Sequence, residues 1–151
     1  EAEGGVFLLT ALYAATTIVT AIVGGVLSDR LGRRKPFVIA SGLVVSVAFA
    51  ILALGGSFIT ALIAAIVLGL GFGMYQAVDF ALITQVLPDS GDRGRDMGIL
   101  NIASGLPQLI APLVSIALSG GFGVNYALIF GLGGVVSLLG SILVVRIRGV
   151  D

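Results

Sequence analysis

The sequence predicts an all-α polytopic membrane protein with five transmembrane helices. Two observations carry that prediction: a charge content too low for a water-facing surface, and apolar stretches long enough to cross a bilayer. Hydrophobic residues make up 58% of the 151 positions and charged residues 11%, with a mean hydropathy of +1.17. A soluble domain carries about 25% charged residues because its surface needs them. Here Lys and Arg together number 8, as do Asp and Glu, too few to coat a globule of this size. Lipid is the natural solvent for such a chain, which reads as a single transmembrane bundle over 1–151.

The apolar stretches run Val6–Leu27, Phe37–Leu54, Phe58–Leu87, Met97–Ser119 and Tyr126–Val145. A bilayer core of about 30 Å needs roughly 20 helical residues. The second stretch is slightly short. The third is long enough to tilt or emerge from the membrane. Strands are excluded, because unpaired strand edges are intolerable in hydrocarbon.

The breaks carry the chemistry that ends helices. Gly32 supplies a turn, and Pro36 stands where a helix begins and its missing N–H costs nothing. Pro88-Asp89-Ser90-Gly91 is turn chemistry. Asp92 and Asp96 lie near the start of the fourth stretch, where carboxylates favour the positive end of the helix dipole. Gly55-Gly56-Ser57 and Gly120-Gly121-Phe122-Gly123 read as tight links. The start, Glu1-Ala2-Glu3, has no initiator Met and no basic leader, and reads as an internal cut.

Composition also excludes functions. The formal net charge is zero and there is no Cys and no His. No basic field is present to attract nucleic acid. Disulfides, thiolate nucleophiles and most zinc sites are ruled out, so proton chemistry falls to carboxylates. No cofactor or metal site is expected, and no enzyme: no span holds a paired-carboxylate constellation. Gly69-x-Gly71-x-Gly73 lacks the spacing of a nucleotide loop and reads as a helix-packing surface.

Basic residues set the expected orientation. Arg30, Arg33, Arg34 and Lys35 follow the first stretch, Arg93 and Arg95 the third, and Arg146 and Arg148 the fifth. With five alternating spans all eight fall on one face. The positive-inside rule puts that face in the cytoplasm, with the N-terminal end outside and the C-terminus inside.

The link between the first two stretches holds Gly25-x-x-x-Asp29-Arg30-x-Gly32-Arg33-Arg34. Gly24 and Gly25 let a neighbouring backbone approach the helix end. Asp29 can face the N-terminus of an adjacent helix, and the arginines can bridge to carboxylates. Such contacts hold in one conformation and break in another, as a gate requires. The plainer alternative is a basic loop that only sets topology.

This loop resembles the hallmark motif of the major facilitator superfamily. Gly71-Phe72-Gly73-Met74-Tyr75-Gln76-Ala77-Val78-Asp79, followed by Val86-Leu87-Pro88, looks like the tenth helix of bacterial members near the sucrose and sugar symporter branch. Met97-Gly98-Ile99-Leu100-Asn101-Ile102-Ala103 looks like the start of the eleventh. The resemblance implies helices eight to twelve of a twelve-helix transporter in a bacterial plasma membrane, a partial fold lacking its N-terminal helices. Helices two to six give the same orientation and stay open. One departure is Gln85, where many sugar-transporting relatives carry Glu.

Polar stripes then sort the spans. Thr10, Tyr13, Thr17 and Thr20 share one face of the first helix. Tyr75, Gln76 and Asp79 lie on the third, and Asn101, Ser104 and Gln108 on the fourth. The second and fifth offer only Ser41, Ser46, Ser137 and Ser141. Helices one, three and four are thus expected to line a central cavity, with two and five facing lipid. The candidate substrate and proton pathway is Tyr13, Thr17, Tyr75, Gln76, Asp79, Asn101 and Gln108. Hydrogen bonding between helices is the alternative role for these stripes. Asp79 is the sharper case, since an intramembrane carboxylate is costly and marks function by default. A conformational latch with Arg33 or Arg34, and carriage of a coupling H+, are its two candidate roles, beside the plainer alternative of a satisfied buried acid with no role.

The expected function is alternating-access transport of a small solute, with a neutral sugar fitting a Tyr, Gln and Asn lining. The competing class is a five-span membrane scaffold with no transport path.

Overall fold

The computed structural model describes residues 2–32, 34–86, 93–119 and 125–146. Arg33, the 88–91 turn, Asp92, the 120–123 link and Arg148 lie outside them. The described residues form five helices: α1 (Ala2–Leu31), α2 (Lys35–Leu54), α3 (Phe58–Val86), α4 (Arg93–Ser119) and α5 (Tyr126–Arg146). All five are long and apolar enough to cross a membrane. The expected element order is borne out.

The helix ends follow from their sequence. Gly32 takes φ +60°, a left-handed conformation that costs any side chain but suits glycine. Its N–H returns to the Ser28 carbonyl at 3.0 Å and closes α1. Pro36 occupies the first turn of α2. Gly55 ends α2 by donating its N–H to Ile51 O at 2.8 Å. Ser57 and Thr60 cap α3 reciprocally: Thr60 N–H donates to Ser57 Oγ at 3.2 Å, and Ser57 N–H to Thr60 Oγ1 at 3.1 Å. This is a capping box with Thr in place of Glu or Gln. Asn125 opens α5 by accepting the Leu128 N–H on Oδ1 at 3.1 Å. α4 runs unbroken through Pro107 and Pro112. With 29 residues, α3 spans about 43 Å, well beyond the hydrocarbon core.

Packing is built from small residues. A Cβ on Gly73 would overlap the Thr17 carbonyl of α1, and one on Gly71 would stand 2.8 Å from Val45 Cγ2 of α2. α3 therefore meets α1 on one side and α2 on another at backbone distance. Gly42 of α2 lies against Ser141 of α5, and the Ser137 hydroxyl donates to the Gly42 carbonyl at 3.0 Å. Dispersion between close backbones, rather than the hydrophobic effect, holds helices together in lipid.

The contact register gives direction. Gly5–Phe58, Thr16–Gly69 and Gly24–Met74 advance together, so α1 and α3 run parallel. Gly42–Ser141 and Phe49–Gly134 advance oppositely, so α2 and α5 are antiparallel. The order of packing is α1, α3, α2, α5, and α4 packs closely on none of them. Arg30, Arg34, Lys35 and Arg146 consequently gather at one end of the packed helices.

Two expectations are corrected. α2 does not simply face lipid: it lies between α3 and α5, with Ser41, Ser46 and Ala48 buried. The threonine stripe of α1 does not bond to neighbouring helices through Thr10 and Thr20. They donate to their own helix, to Val6 O at 2.9 Å and Thr16 O at 2.6 Å. A Ser or Thr hydroxyl reaches the carbonyl one turn back more easily than another helix.

The fully buried apolar set is small (Ala48, Ala64 and Val78), while Phe7, Ile22, Leu54 and Leu109 are among many exposed large side chains. In water such a surface would aggregate. In a bilayer it is solvated.

Candidate functional site

The loop between α1 and α2 places its charges at the basic end. Asp29 is 68% exposed and pairs with Arg34 at 3.6 Å, across the Gly32 turn. The pair joins the last turn of α1 to the residue capping α2. Arg30 is exposed. Gly25 faces the Ala77 methyl of α3, so the loop sits against that helix. Ser28, 2% exposed, points into the same packing with no hydrogen-bond partner for its hydroxyl among the described residues.

Deeper in the bundle, aromatic rings connect α1 to α3. The Tyr13 and Phe72 centroids are 6.2 Å apart, and Phe72 and Tyr75 6.4 Å. Tilted rings at this separation attract through their quadrupoles. Thr17, half-buried one turn beyond Tyr13, has no partner for its hydroxyl among the described residues. Tyr75 stands one turn before Asp79 on the same helix, close enough for phenol and carboxylate to interact, and Asp79 is half-buried. The nearest polar neighbour identified for the intramembrane carboxylate is thus a neutral group on its own helix. Arg34 makes its ion pair elsewhere.

The remaining pathway residues are not gathered here. Gln76 is exposed on α3, and Asn101 and Gln108 are exposed on α4, which stands away from the other helices. The structure therefore joins Tyr13, Thr17, Tyr75 and Asp79 across α1 and α3 and leaves Asn101 and Gln108 apart. Phe72, the middle ring, was not singled out from the sequence, because an aromatic in an apolar run looks like lipid-facing bulk. Among the described residues, no three potential metal ligands cluster.

A concavity of about 340 Å³ lies between α2, α3 and α5, and Phe72 and Tyr75 are among its lining residues. Ser41, Ser137 and Ser141 are among its lining residues, yet each hydroxyl is satisfied by a backbone carbonyl. Its exposed character is apolar. The sequence signal for it was the small-residue run of Gly42 opposite Ser137 and Ser141, spaced one helical turn apart.

Five helices long and apolar enough to cross a membrane, close glycine packing and a half-buried acid on one of them are features of a polytopic membrane protein of the transporter class. The chain belongs to the Major Facilitator Superfamily, whose family model matches residues 3–151. No curated protein matches it. Membership makes it an integral membrane protein of a family of transporters, generally not enzymes, that handles a small-molecule substrate at a lipid bilayer.

Proposed function

We propose that the chain is part of a secondary transporter that moves a small neutral solute by alternating access, with Asp79 as the proton-bearing group. The observation that carries this reading is the Tyr75–Asp79 pair. A carboxylate in a membrane span is costly. A phenol beside the carboxylate lowers that cost, and among the described residues no ion pair holds Asp79. The aromatic run Tyr13, Phe72, Tyr75 offers flat apolar faces beside hydroxyl groups, a combination suited to the faces and edges of a sugar ring.

The 25–34 loop is the gating element in this reading. Asp29 and Arg34 tie two helix ends through a long ion pair that a rocking motion can break. Asn101 and Gln108 on α4 would complete the solute lining once α4 is covered. Its partner in this reading is the N-terminal set of helices of the same transporter, with the chain supplying helices eight to twelve. The basic end would face the cytoplasm of a bacterial plasma membrane. The family match lends support to transport over the five-span scaffold.

The test is uptake by the intact protein in sealed proteoliposomes, screened against neutral mono- and disaccharides with and without an inward proton gradient. Gradient-stimulated uptake of at least one sugar, with alkalinisation of the outer medium, is the expected result. Uptake indifferent to the gradient would remove the proton role. Binding of none of the sugars would remove the substrate class.

A further inference from the structure

Two helix pairs approach at backbone distance, but their hydroxyls behave differently. Between α2 and α5 the Ser137 hydroxyl crosses to the Gly42 carbonyl, which also accepts from Ser46 on its own helix. Both lone pairs of that carbonyl are used, and the bond ties the two helices. Elsewhere Thr10, Thr20 and Ser141 donate to the carbonyl one turn back. Thr17 and Ser28 do neither: each has a buried hydroxyl oxygen with no partner among the described residues.

Both lie on the seam between α1 and α3. Thr17, Ala21, Gly24 and Ser28 recur at helical spacing on one face of α1. Gly69, Gly73 and Ala77 form the facing row of α3, with Gly73 against the Thr17 carbonyl and Ala77 against Gly25. Small side chains on both rows leave little to interlock, so few contacts oppose a slide along the common axis. Ser28 is 2% exposed, and a buried donor left unbonded bears its full desolvation cost. That cost is recovered wherever a second arrangement of the seam supplies an acceptor.

We propose that the α1–α3 seam is a sliding joint of the transport cycle, and that Ser28 donates to a backbone carbonyl of the α3 turn after Ala77 when the seam shifts. This role presupposes the transport activity proposed above. A shift of about 1–2 Å is the usual scale for packed helices. A helix carbonyl keeps a lone pair for such a bond, as Gly42 does here. Ser28 thus disfavours the arrangement described and favours the shifted one, which poises the joint. α2 and α5, tied by Ser137, move as one piece.

The intact protein in proteoliposomes, with any other cysteine replaced, tests this through bridges and through Ser28 itself. A Cβ on Gly25 stands 3.8 Å from that of Ala77, within the span of about 3.5–4.5 Å that a disulfide needs. Once bridged by oxidation, Gly25→Cys with Ala77→Cys should take up solute at least tenfold more slowly, and reduction should restore that variant's own unoxidised rate. Phe49→Cys with Gly134→Cys, whose Cβ atoms lie 3.3 Å apart across α2 and α5, should keep its unoxidised rate when bridged. Equal effects of the two bridges overturn the proposal. Ser28→Ala should raise the melting temperature by a few degrees and lower turnover about tenfold, with solute affinity nearly unchanged. Ser28→Cys, similar in size but a weak donor, should match it. Unchanged turnover in both variants overturns the proposal. The melting temperature separates two failures: unsubstituted protein that takes up no solute sinks the transport reading, whereas Ser28→Ala that melts no higher sinks the joint.

Discussion

Asp29 and Asp79 are both acids on helices, but their surroundings assign them different work. Asp29 is mostly exposed and its ion pair with Arg34 is long, so the pair contributes on the order of 0–1 kcal/mol to stability. Asp29→Asn should leave the melting temperature within a degree or two and the folded yield intact. It should lower transport by about tenfold, the scale of a typical conformational coupling. Unchanged transport would reduce the loop to a topology signal. Tyr75→Phe removes the hydroxyl beside Asp79. Gradient-driven uptake should fall while solute binding, measured by isothermal titration, changes little. Gly73 is of another kind: a side chain there would overlap the Thr17 backbone. Gly73→Val should cost several kcal/mol and abolish monodisperse elution, because neither backbone can give way. Gly140→Ala, facing open space, is the matched control.

At the scale of elements, the helices were legible in the sequence and their partners were not. Hydropathy and span length gave all five, and Gly32, Pro36 and Gly55 marked ends that the structure places there. Lipid is as apolar as a helix interface, so apolar patterning cannot say which face of a span meets another helix. Polar patterning misled for a physical reason. Thr10 and Thr20 satisfy themselves on their own helix and need no neighbour. The serines of α2 and α5, set aside as lipid-facing, are instead small enough to let two backbones meet. In the candidate site the motif loop and Asp79 stood out as charges. Phe72 did not, because nothing in an apolar run separates a ring packed on other rings from a lipid-solvated one. The Ser137 hydrogen bond to Gly42 predicts a modest loss for Ser137→Ala, about 0.6 kcal/mol, measurable as a small drop in thermal midpoint. A larger loss would mean that the hydroxyl serves more than this one bond.

Among the described residues, four helices form a packed set and the fifth, α4, makes little contact with them. Parallel α1 and α3 and antiparallel α2 and α5 collect Arg30, Arg34, Lys35 and Arg146 at one end. Positive-inside orientation then makes a topological prediction that single introduced cysteines can check. In intact cells, Ser57→Cys should react with a membrane-impermeant maleimide, and Arg146→Cys should react only after permeabilisation. The reverse pattern would invert the bundle. The central claim, however, is that Asp79 carries the proton that couples transport, and one comparison tests it most directly. Asp79→Asn, in the intact protein in proteoliposomes, should abolish gradient-driven accumulation while preserving solute exchange at equal concentrations on both sides. Loss of exchange together with accumulation, with solute binding intact, would contradict the claim and make Asp79 a part of the conformational latch.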